Sequence, residues 1–138
     1  MPKSRRLNRE SAFILVFEKL FREESVEEII ELAENIDGII INDDVIKVFS
    51  ETVLKSDEFD KIITKFSEKR SVDRIPKVNL AILRLALYEA IYDEKVPLNV
   101  AINEAVLLAK KFAQEPDVSF INGVLGSYAR SDEAPENV

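Results

Sequence analysis

Three arginines near the amino terminus, Arg5, Arg6 and Arg9, are the side chains best suited to bind an anion. A guanidinium group presents a planar fork of N–H donors that matches phosphate oxygens, and its flat face stacks on bases. At roughly 100° per residue of an α-helix, all three lie in the same sector as Phe13 and Val16. We therefore predict that they extend the apolar stripe toward the helix start and form a phosphate-binding cluster. The alternatives are a solvated basic arm or pairing with the acidic segment that follows.

An aromatic side chain beside such a cluster would add a stacking platform, the usual equipment for binding single-stranded RNA. Phe17 lies at the edge of the same stripe, and Lys3 adds another cation at the start of the helix. Cations in a first helical turn oppose the helix dipole, at a cost of roughly 0.3–1 kcal/mol each. Residues that lower helix stability in this way are typical of a functional site.

Charge is unevenly distributed along the chain. Residues 1–22 carry six basic and two acidic side chains, whereas residues 23–60 carry thirteen acidic and two basic side chains. The formal net charge of −7 therefore hides a basic pole next to an acidic one. Because partners respond to the local field, the acidic total does not exclude nucleic acid.

The acidic segment has helical periodicity. Glu23, Glu27, Glu31 and Glu34 recur at intervals of four, four and three residues, which predicts one solvated stripe of a helix. A docking surface for a basic protein is the alternative. We expect no metal site here, because an outward-facing stripe does not converge on an ion.

The composition excludes most enzyme designs. The chain has no cysteine and no histidine, so disulfides, the usual zinc ligands and imidazole catalysis are all missing. We find no phosphate-cradling loop, no nucleophile–base pair and no facing catalytic carboxylates. The sequence predicts a non-enzymatic protein without cofactor, metal or small-molecule substrate. The longest apolar run, residues 80–87, is interrupted by Arg84, so we also expect a cytoplasmic protein without a membrane partner.

Apolar residues recur at intervals of three and four along the whole chain, which predicts an all-α fold. Helix one is predicted over about 5–22, with Phe21 on its apolar stripe. The later helix starts are marked by capping residues or prolines: Ser25 with Glu28, Asn42 to Asp44, Ser56, Pro76, Pro97, and Pro116 with Asp117.

Three further expectations concern the second half of the chain. The helix after Pro76 is apolar on nearly every side, which predicts a central, buried helix. Gly123 and Gly126 predict close helix packing, because only glycine lets two backbones approach so near. The acidic tail, residues 131–138, is expected to fray.

Several motifs in a fixed order resemble the NusB family of bacterial transcription antitermination factors (N-utilization substance B). The longest is Arg74-Ile-Pro-Lys-Val-Asn-Leu-Ala-Ile-Leu-Arg-Leu-Ala-Leu-Tyr-Glu89, followed by Val96-Pro97, Ala101-Ile-Asn-Glu-Ala-Val106, Ala109-Lys110 and Phe120-Ile-Asn-Gly-Val-Leu125. The opening Arg5-Arg6-x-x-Arg9-Glu10-x-Ala12 resembles that family too. The resemblance covers nearly the whole chain and is weakest over residues 23–70.

The resemblance implies one NusB-like RNA-binding domain over residues 1–138. Its fold would be a bundle of about seven helices in two packed halves, an N-terminal half over about 1–68 and a C-terminal half over about 72–130, followed by the tail. Such proteins bind the single-stranded boxA element of nascent ribosomal RNA with a small-subunit ribosomal protein that acts as NusE. With RNA polymerase and the other Nus factors, they suppress premature termination.

The resemblance also implies which residues bind. RNA-binding positions of the family fall on Lys3, Arg5, Arg6, Arg9, Phe17, Asp117, Ser119 and Phe120. The region facing the ribosomal protein includes Asn79, where the family usually has an acidic residue. A family aspartate near the last helix aligns with Pro116.

Two other functions remain open from the sequence. One is an RNA-independent adaptor that binds proteins through its acidic helix. The other is a detached NusB-like module of a ribosomal RNA cytosine methyltransferase. A catalytic domain of that kind would need a glycine-rich cofactor loop, which this sequence lacks.

Overall fold

The computed structural model describes residues 3–136, with every side chain in that range except the one of Lys3. Over these residues it has seven α-helices, one short 3₁₀ helix and no strand, which confirms the predicted all-α fold. None of the described helices is long and apolar enough to cross a membrane. Backbone contacts divide the chain into two compact units, the first ending at Leu54 and the second beginning at Lys55.

The first unit consists of α1 (Lys3–Lys19), α2 (Val26–Ala33) and α3 (Asp43–Leu54). Helix α1 packs against both other helices. Most of the buried side chains on these helices are apolar, as the three-and-four spacing predicts: Ala12, Phe13, Leu15, Val16, Ile29, Ala33, Val45 and Phe49.

Two predicted helix starts in this unit are confirmed in atomic detail. The Ser25 hydroxyl accepts a hydrogen bond from the Glu28 amide at 3.2 Å, and the Glu28 carboxylate accepts one from the Ser25 amide at 3.2 Å. This reciprocal pair is a capping box. The Asn42 side-chain oxygen accepts from the Val45 amide at 2.9 Å and so caps α3.

The end of α1 differs from the prediction. The helix ends at Lys19, and the next amides, those of Leu20 and Phe21, donate to carbonyl oxygens only three residues back. This tighter turn takes the chain off the helical path. Phe21 is 60% exposed, so its predicted place on the buried stripe was wrong.

The second unit contains α4 (Ser56–Phe66), the 3₁₀ helix (Val72–Arg74), α5 (Lys77–Tyr92), α6 (Leu98–Phe112) and α7 (Glu115–Ala129). Helix α5 packs against α4, α6 and α7 and is buried around most of its circumference, which confirms the prediction of a central helix. The sequence grouped α4 with the N-terminal half. Its contacts with α5 and α7 instead make it part of the second unit.

The one charge within the apolar centre of α5 is paired. The Arg84 guanidinium binds both carboxylate oxygens of Asp60 on α4, at 2.8 and 2.7 Å. This bidentate geometry fits the planar fork of arginine. It lets the helix keep a cation in an apolar stretch and ties α5 to α4.

The expectation of close packing at the α7 glycines was wrong. A side-chain carbon added at Gly123 would meet nothing within 4 Å among the described residues, and one at Gly126 would meet only the flexible end of Arg130. No neighbouring backbone approaches either position, so packing does not explain these two glycines.

The acidic tail is held more firmly than predicted. The Ser131 hydroxyl donates to the Tyr128 carbonyl at 2.6 Å, and the Glu133 carboxylate pairs with Lys65 on α4. The last two residues of the predicted tail, 137 and 138, lie outside the described residues. Up to Glu136 the tail therefore turns back onto the second unit instead of fraying.

Candidate nucleic-acid interface

Helix α1 is held in one rotation by contacts along two of its faces. Phe13 and Val16 are buried against the first unit. Just before them, the Ser11 hydroxyl accepts from the Ile40 amide at 2.9 Å, and the side chain of Asn8 accepts from that of Asn42 at 3.0 Å. These bonds tie α1 to the segment that leads into α3, so the direction of each arginine is fixed.

The fixed rotation separates the three arginines. Arg5 and Arg6 are exposed on the first turns of α1, as expected for residues that meet a ligand. Arg9 is only 8% exposed and makes contacts within the protein. The helical wheel places Arg9 in the same sector as the apolar stripe, and its side chain is buried like that stripe. The side chain of Lys3 lies outside the described residues.

Phe17 is part of a row of three aromatic rings, two on α1 and the third, Phe21, just after it. Its ring stacks on Phe13 with centroids 6.0 Å apart and meets the edge of Phe21 at 5.0 Å. Phe17 is half-buried, and the exposed ring is that of Phe21. Twelve residues separate Phe17 from Arg5, about 18 Å along the helix axis, so the two cannot bind the same phosphate.

Arg22 does not strengthen the basic cluster. Its guanidinium donates to the Glu18 carboxylate at 2.6 Å and lies 3.7 Å from Glu24. The hydrogen bond that Arg22 donates to Glu18, with the attraction of both carboxylates, raises the pKa of Arg22. This cation is neutralised within its own segment, so it adds little to the positive charge at the start of α1.

In the second unit, Phe120 on α7 lies under a cation that the sequence did not predict as functional. The central carbon of the Arg70 guanidinium is 4.8 Å from the centre of the Phe120 ring. Arg70 and the nearby Ser119 are exposed, and Phe120 is partly exposed. A guanidinium stacked on an aromatic ring offers a flat surface for a base and N–H donors for a phosphate.

The turn after α4 carries Arg70 into this position. The Lys69 amide donates to the Thr64 carbonyl at 3.0 Å, and the Arg70 amide donates to that of Ser67 at 3.2 Å. Glu68 and Lys69 adopt left-handed φ angles of 59° and 61°, which are unfavourable for residues with a side chain. Strained residues of this kind cluster at functional sites, so the turn supports a role for Arg70.

One sequence signal could have revealed Arg70. Residues 69–77 contain four basic side chains and a single acidic one, Asp73. Pro76 in this segment predicted only a helix start, and residues 74–77 counted only as part of a family motif. Its proximity to Phe120 depends on how α4, α5 and α7 pack, which no local pattern reveals.

Asp117 and Asn79, predicted to contact RNA and the ribosomal protein respectively, bind each other. The Asn79 side-chain amide donates to Asp117 Oδ1 at 3.0 Å, and Asp117 Oδ2 accepts from the Gln114 amide at 3.4 Å. Asn79 is only 1% exposed. A side chain so deeply buried offers almost no surface to a partner, so the structure gives Asn79 an internal contact instead of an accessible one.

The acidic stripe on α2 is exposed, as predicted for a solvated face, with Glu27, Glu31 and Glu34 all open to solvent. Two apolar side chains, Leu32 on α2 and Ile36 just after the helix, are also 54% and 51% exposed. Among residues 3–136, no three Asp or Glu side chains are grouped as metal ligands would be.

The fold and sequence can be compared with known proteins. A model of the NusB family matches residues 6–130. The transcription antitermination protein NusB of Clostridium botulinum is 40% identical over 126 residues, which are 88% of this chain and 95% of that protein.

Solved structures agree with this match. NusB of T. maritima has a TM-score of 0.82 at 30% identity, covering 98% of this chain and 96% of its own. A crystal structure of the antitermination factors NusB and NusE in complex with dsRNA has a TM-score of 0.77 at 30% identity, covering 92% and 96%. Since the family model spans most of the sequence and the structures match over nearly its full length, the chain belongs to the NusB family.

Proposed function

We propose that this protein is a non-enzymatic transcription antitermination factor. It binds the single-stranded boxA element of nascent ribosomal RNA together with the ribosomal protein that acts as NusE. The assembly joins RNA polymerase and the other Nus factors, so that the polymerase resists premature termination. The names of the curated relatives support antitermination, and the solved complex of NusB with NusE and dsRNA supports the two partners.

The observation that carries the RNA-binding proposal is the exposed pair Arg5 and Arg6 at the start of α1. Both arginines lie before the buried part of the helix, and their side chains are open to solvent. Arginines in a helix start also oppose the helix dipole, which stability alone does not favour. An incoming phosphate would compensate for both charges.

The proposed stacking surface for RNA bases lies in the second unit. Phe120 and Arg70 form a flat pair at the start of α7, with Ser119 exposed beside it. Bases can stack on such a pair only when they are unstacked from their neighbours, which favours a single strand over a duplex. Lys3, Phe17 and Asp117 remain proposed RNA-binding residues, with Phe17 and Asp117 only partly exposed.

A second candidate function is a protein adaptor that does not require RNA. The exposed Leu32 and Ile36, bordered by carboxylates on α2, favour it. An apolar pair with an acidic rim would suit a basic protein. The adaptor and the RNA-binding factor make opposite predictions about RNA.

A titration separates the two functions. A short single-stranded boxA RNA with a fluorescent label is titrated with the protein, with and without the ribosomal protein, and anisotropy is recorded at several salt concentrations. The proposal expects binding that weakens as salt rises and strengthens when the ribosomal protein is present. A scrambled strand and a duplex of the same length serve as controls.

The outcomes are distinct. Tighter binding of the boxA strand than of both controls supports the proposal. Equal binding of the duplex and the single strand contradicts the stacking part of the proposal. No RNA binding in either mixture, with the ribosomal protein still bound, supports the adaptor.

A further inference from the structure

Asn79 is a buried polar side chain that makes one well-defined hydrogen bond. It lies in the first turn of α5, is 1% exposed, and donates its side-chain amide to Asp117 Oδ1 on α7 at 3.0 Å. Its own side-chain oxygen is buried without a hydrogen-bond partner among the described residues. A buried acceptor left unpaired lowers stability.

The orientation of the Asn79 amide follows from the charge of Asp117. Turning the amide over would place its oxygen against a carboxylate oxygen, and two acceptors repel each other. The donor must therefore face Asp117, and the oxygen is left without a partner. A leucine would fill similar space without the unpaired oxygen but would also remove the charge-assisted bond to Asp117, so that bond is what the asparagine contributes here.

The bond connects Asn79 with the surface proposed to bind RNA. Asp117 also accepts from the Gln114 amide at 3.4 Å and so belongs to the capping of the first turn of α7. One turn later, α7 presents Phe120 with Arg70 stacked on its ring. Asn79 is itself buried, yet it donates to the carboxylate that caps this turn.

We propose that Asn79 is a positioning residue: its buried bond to Asp117 holds the first turn of α7 so that Phe120 and Arg70 form one stacking surface. This inference rests on the proposed RNA binding for its effect on affinity. The part of the inference that concerns the position of α7 does not depend on RNA binding.

Asn79→Leu tests the proposal most directly. The variant removes both the bond to Asp117 and the unpaired oxygen, which have opposite effects on the free energy of unfolding, so the net change is expected to be small. RNA affinity should nevertheless fall by roughly fivefold, because the surface on α7 is no longer held. Backbone and Arg70 side-chain N–H signals in ¹H–¹⁵N spectra should shift at residues 117–120 and at Arg70.

Two further variants sharpen the test. Asn79→Asp places a second carboxylate against Asp117 and should weaken RNA binding by more than Asn79→Leu does. Adding Asp117→Asn restores a carboxylate–amide pair with the donor on the other side, so the double variant should return the Arg70 side-chain signals toward their wild-type positions. Thr52→Val is the matched control, since Thr52 in the first unit is also buried with an unpaired side-chain oxygen. It should leave RNA affinity unchanged.

The results separate this inference from the proposed function. If the wild-type protein binds RNA and Asn79→Leu binds it equally well with unshifted Arg70 signals, the positioning role is overturned. If Asn79→Asp displaces the Arg70 signals and the double variant does not bring them back, the bond to Asp117 is not the cause. If the wild-type protein binds no RNA, the proposed function fails, and the Arg70 signals of Asn79→Leu still decide whether Asn79 positions α7.

Discussion

The start of α1 and the start of α7 present two different kinds of surface. The first exposes Arg5 and Arg6, neighbours in sequence on one helix turn. The second brings Arg70 from a strained turn onto the ring of Phe120, which is far away in sequence. The first surface presents two positive charges, whereas the second presents a guanidinium group lying over an aromatic ring.

The comparison shows that two groups of residues can serve one ligand through different physics. Contacts between cations and phosphates release counterions, so they weaken as salt rises. Stacking of bases on an aromatic ring depends little on salt. If both surfaces bind RNA, substitutions in them should differ in salt dependence, and the following predictions test that difference.

The largest effect is expected from the double variant Arg5→Ala with Arg6→Ala. Each phosphate contact contributes about 0.7 to the salt slope of a single-stranded complex, so losing two lowers it by about 1.4. At roughly 50 mM salt this corresponds to roughly 50-fold weaker binding. Anisotropy titrations over a range of salt concentrations measure both quantities.

The matched control for this variant is Lys47→Ala with Lys61→Ala, which removes the same charge from exposed positions on α3 and α4. It should change affinity only slightly. An equal loss in the control would mean that net charge, and not the start of α1, attracts the RNA.

The next effect concerns stacking. Phe120→Ala should weaken RNA binding by roughly tenfold, since stacking of one base on an aromatic ring contributes about 1–3 kcal/mol. The salt slope should remain that of the wild-type protein, because no cation is removed. The same titrations at several salt concentrations provide the measurement.

Phe112→Ala is the control, because Phe112 on α6 also lies beside a cation, with the Lys111 ammonium 5.5 Å from its ring centre. It should bind RNA as the wild type does. A salt slope that drops in Phe120→Ala would instead assign the α7 surface to phosphate contacts and would remove the distinction between the two regions.

A smaller effect separates Arg9 from its neighbours. Because Arg9 is buried, Arg9→Ala should lower the free energy of unfolding by roughly 1–2 kcal/mol through lost packing and lost internal contacts. Arg5→Ala, at an exposed position, should change it by less than about 0.5 kcal/mol. Urea unfolding followed by circular dichroism compares the two variants. If Arg9→Ala kept full stability but lowered the salt slope of RNA binding, Arg9 would be the direct contact that the sequence predicted.

The smallest effect is a loss of folding stability at alkaline pH. It concerns the second unit, which contains all three tyrosines. Burial, with the nearby Glu133 and Glu58 carboxylates, raises the pKa of Tyr128 above its ordinary value of 10.0. The folded state therefore keeps this proton more tightly than the unfolded state does. The resulting stability is fully present below about pH 10 and is lost as pH rises through the raised folded pKa.

Urea unfolding at a series of pH values above 9 measures this loss. Tyr128→Phe should flatten the alkaline decline relative to the wild type. The remaining slope includes Tyr92, whose pKa is raised by its hydrogen bond to Glu58. A decline that is unchanged in Tyr128→Phe would contradict the proposed link between burial of this hydroxyl and stability.

Helix positions were largely predictable because their signals are local. The capping box of Ser25 and Glu28 and the cap at Asn42 are contained within a few residues, and each appears in the structure. The burial of α5 followed from its composition alone. The end of α1 was missed because Leu20 and Phe21 continue the apolar pattern beyond the last helical hydrogen bond.

The candidate site was predictable only in part. Arg5 and Arg6 could be identified, since a basic helix start is visible in the sequence. The burial of Arg9 could not be predicted, because it depends on how far the first unit extends along α1. For Asn79, resemblance predicted an accessible contact, and packing turned it inward to Asp117.

The sequence by itself determined the all-α fold, the basic pole and the absence of histidine and cysteine chemistry, because these follow from composition and from spacing within single helices. Only the tertiary structure decided which arginine stays exposed, where Arg70 lies and what Asn79 binds. Each of these depends on side chains from different helices meeting at a few ångströms, and such distances are set by packing between elements, which no local pattern encodes.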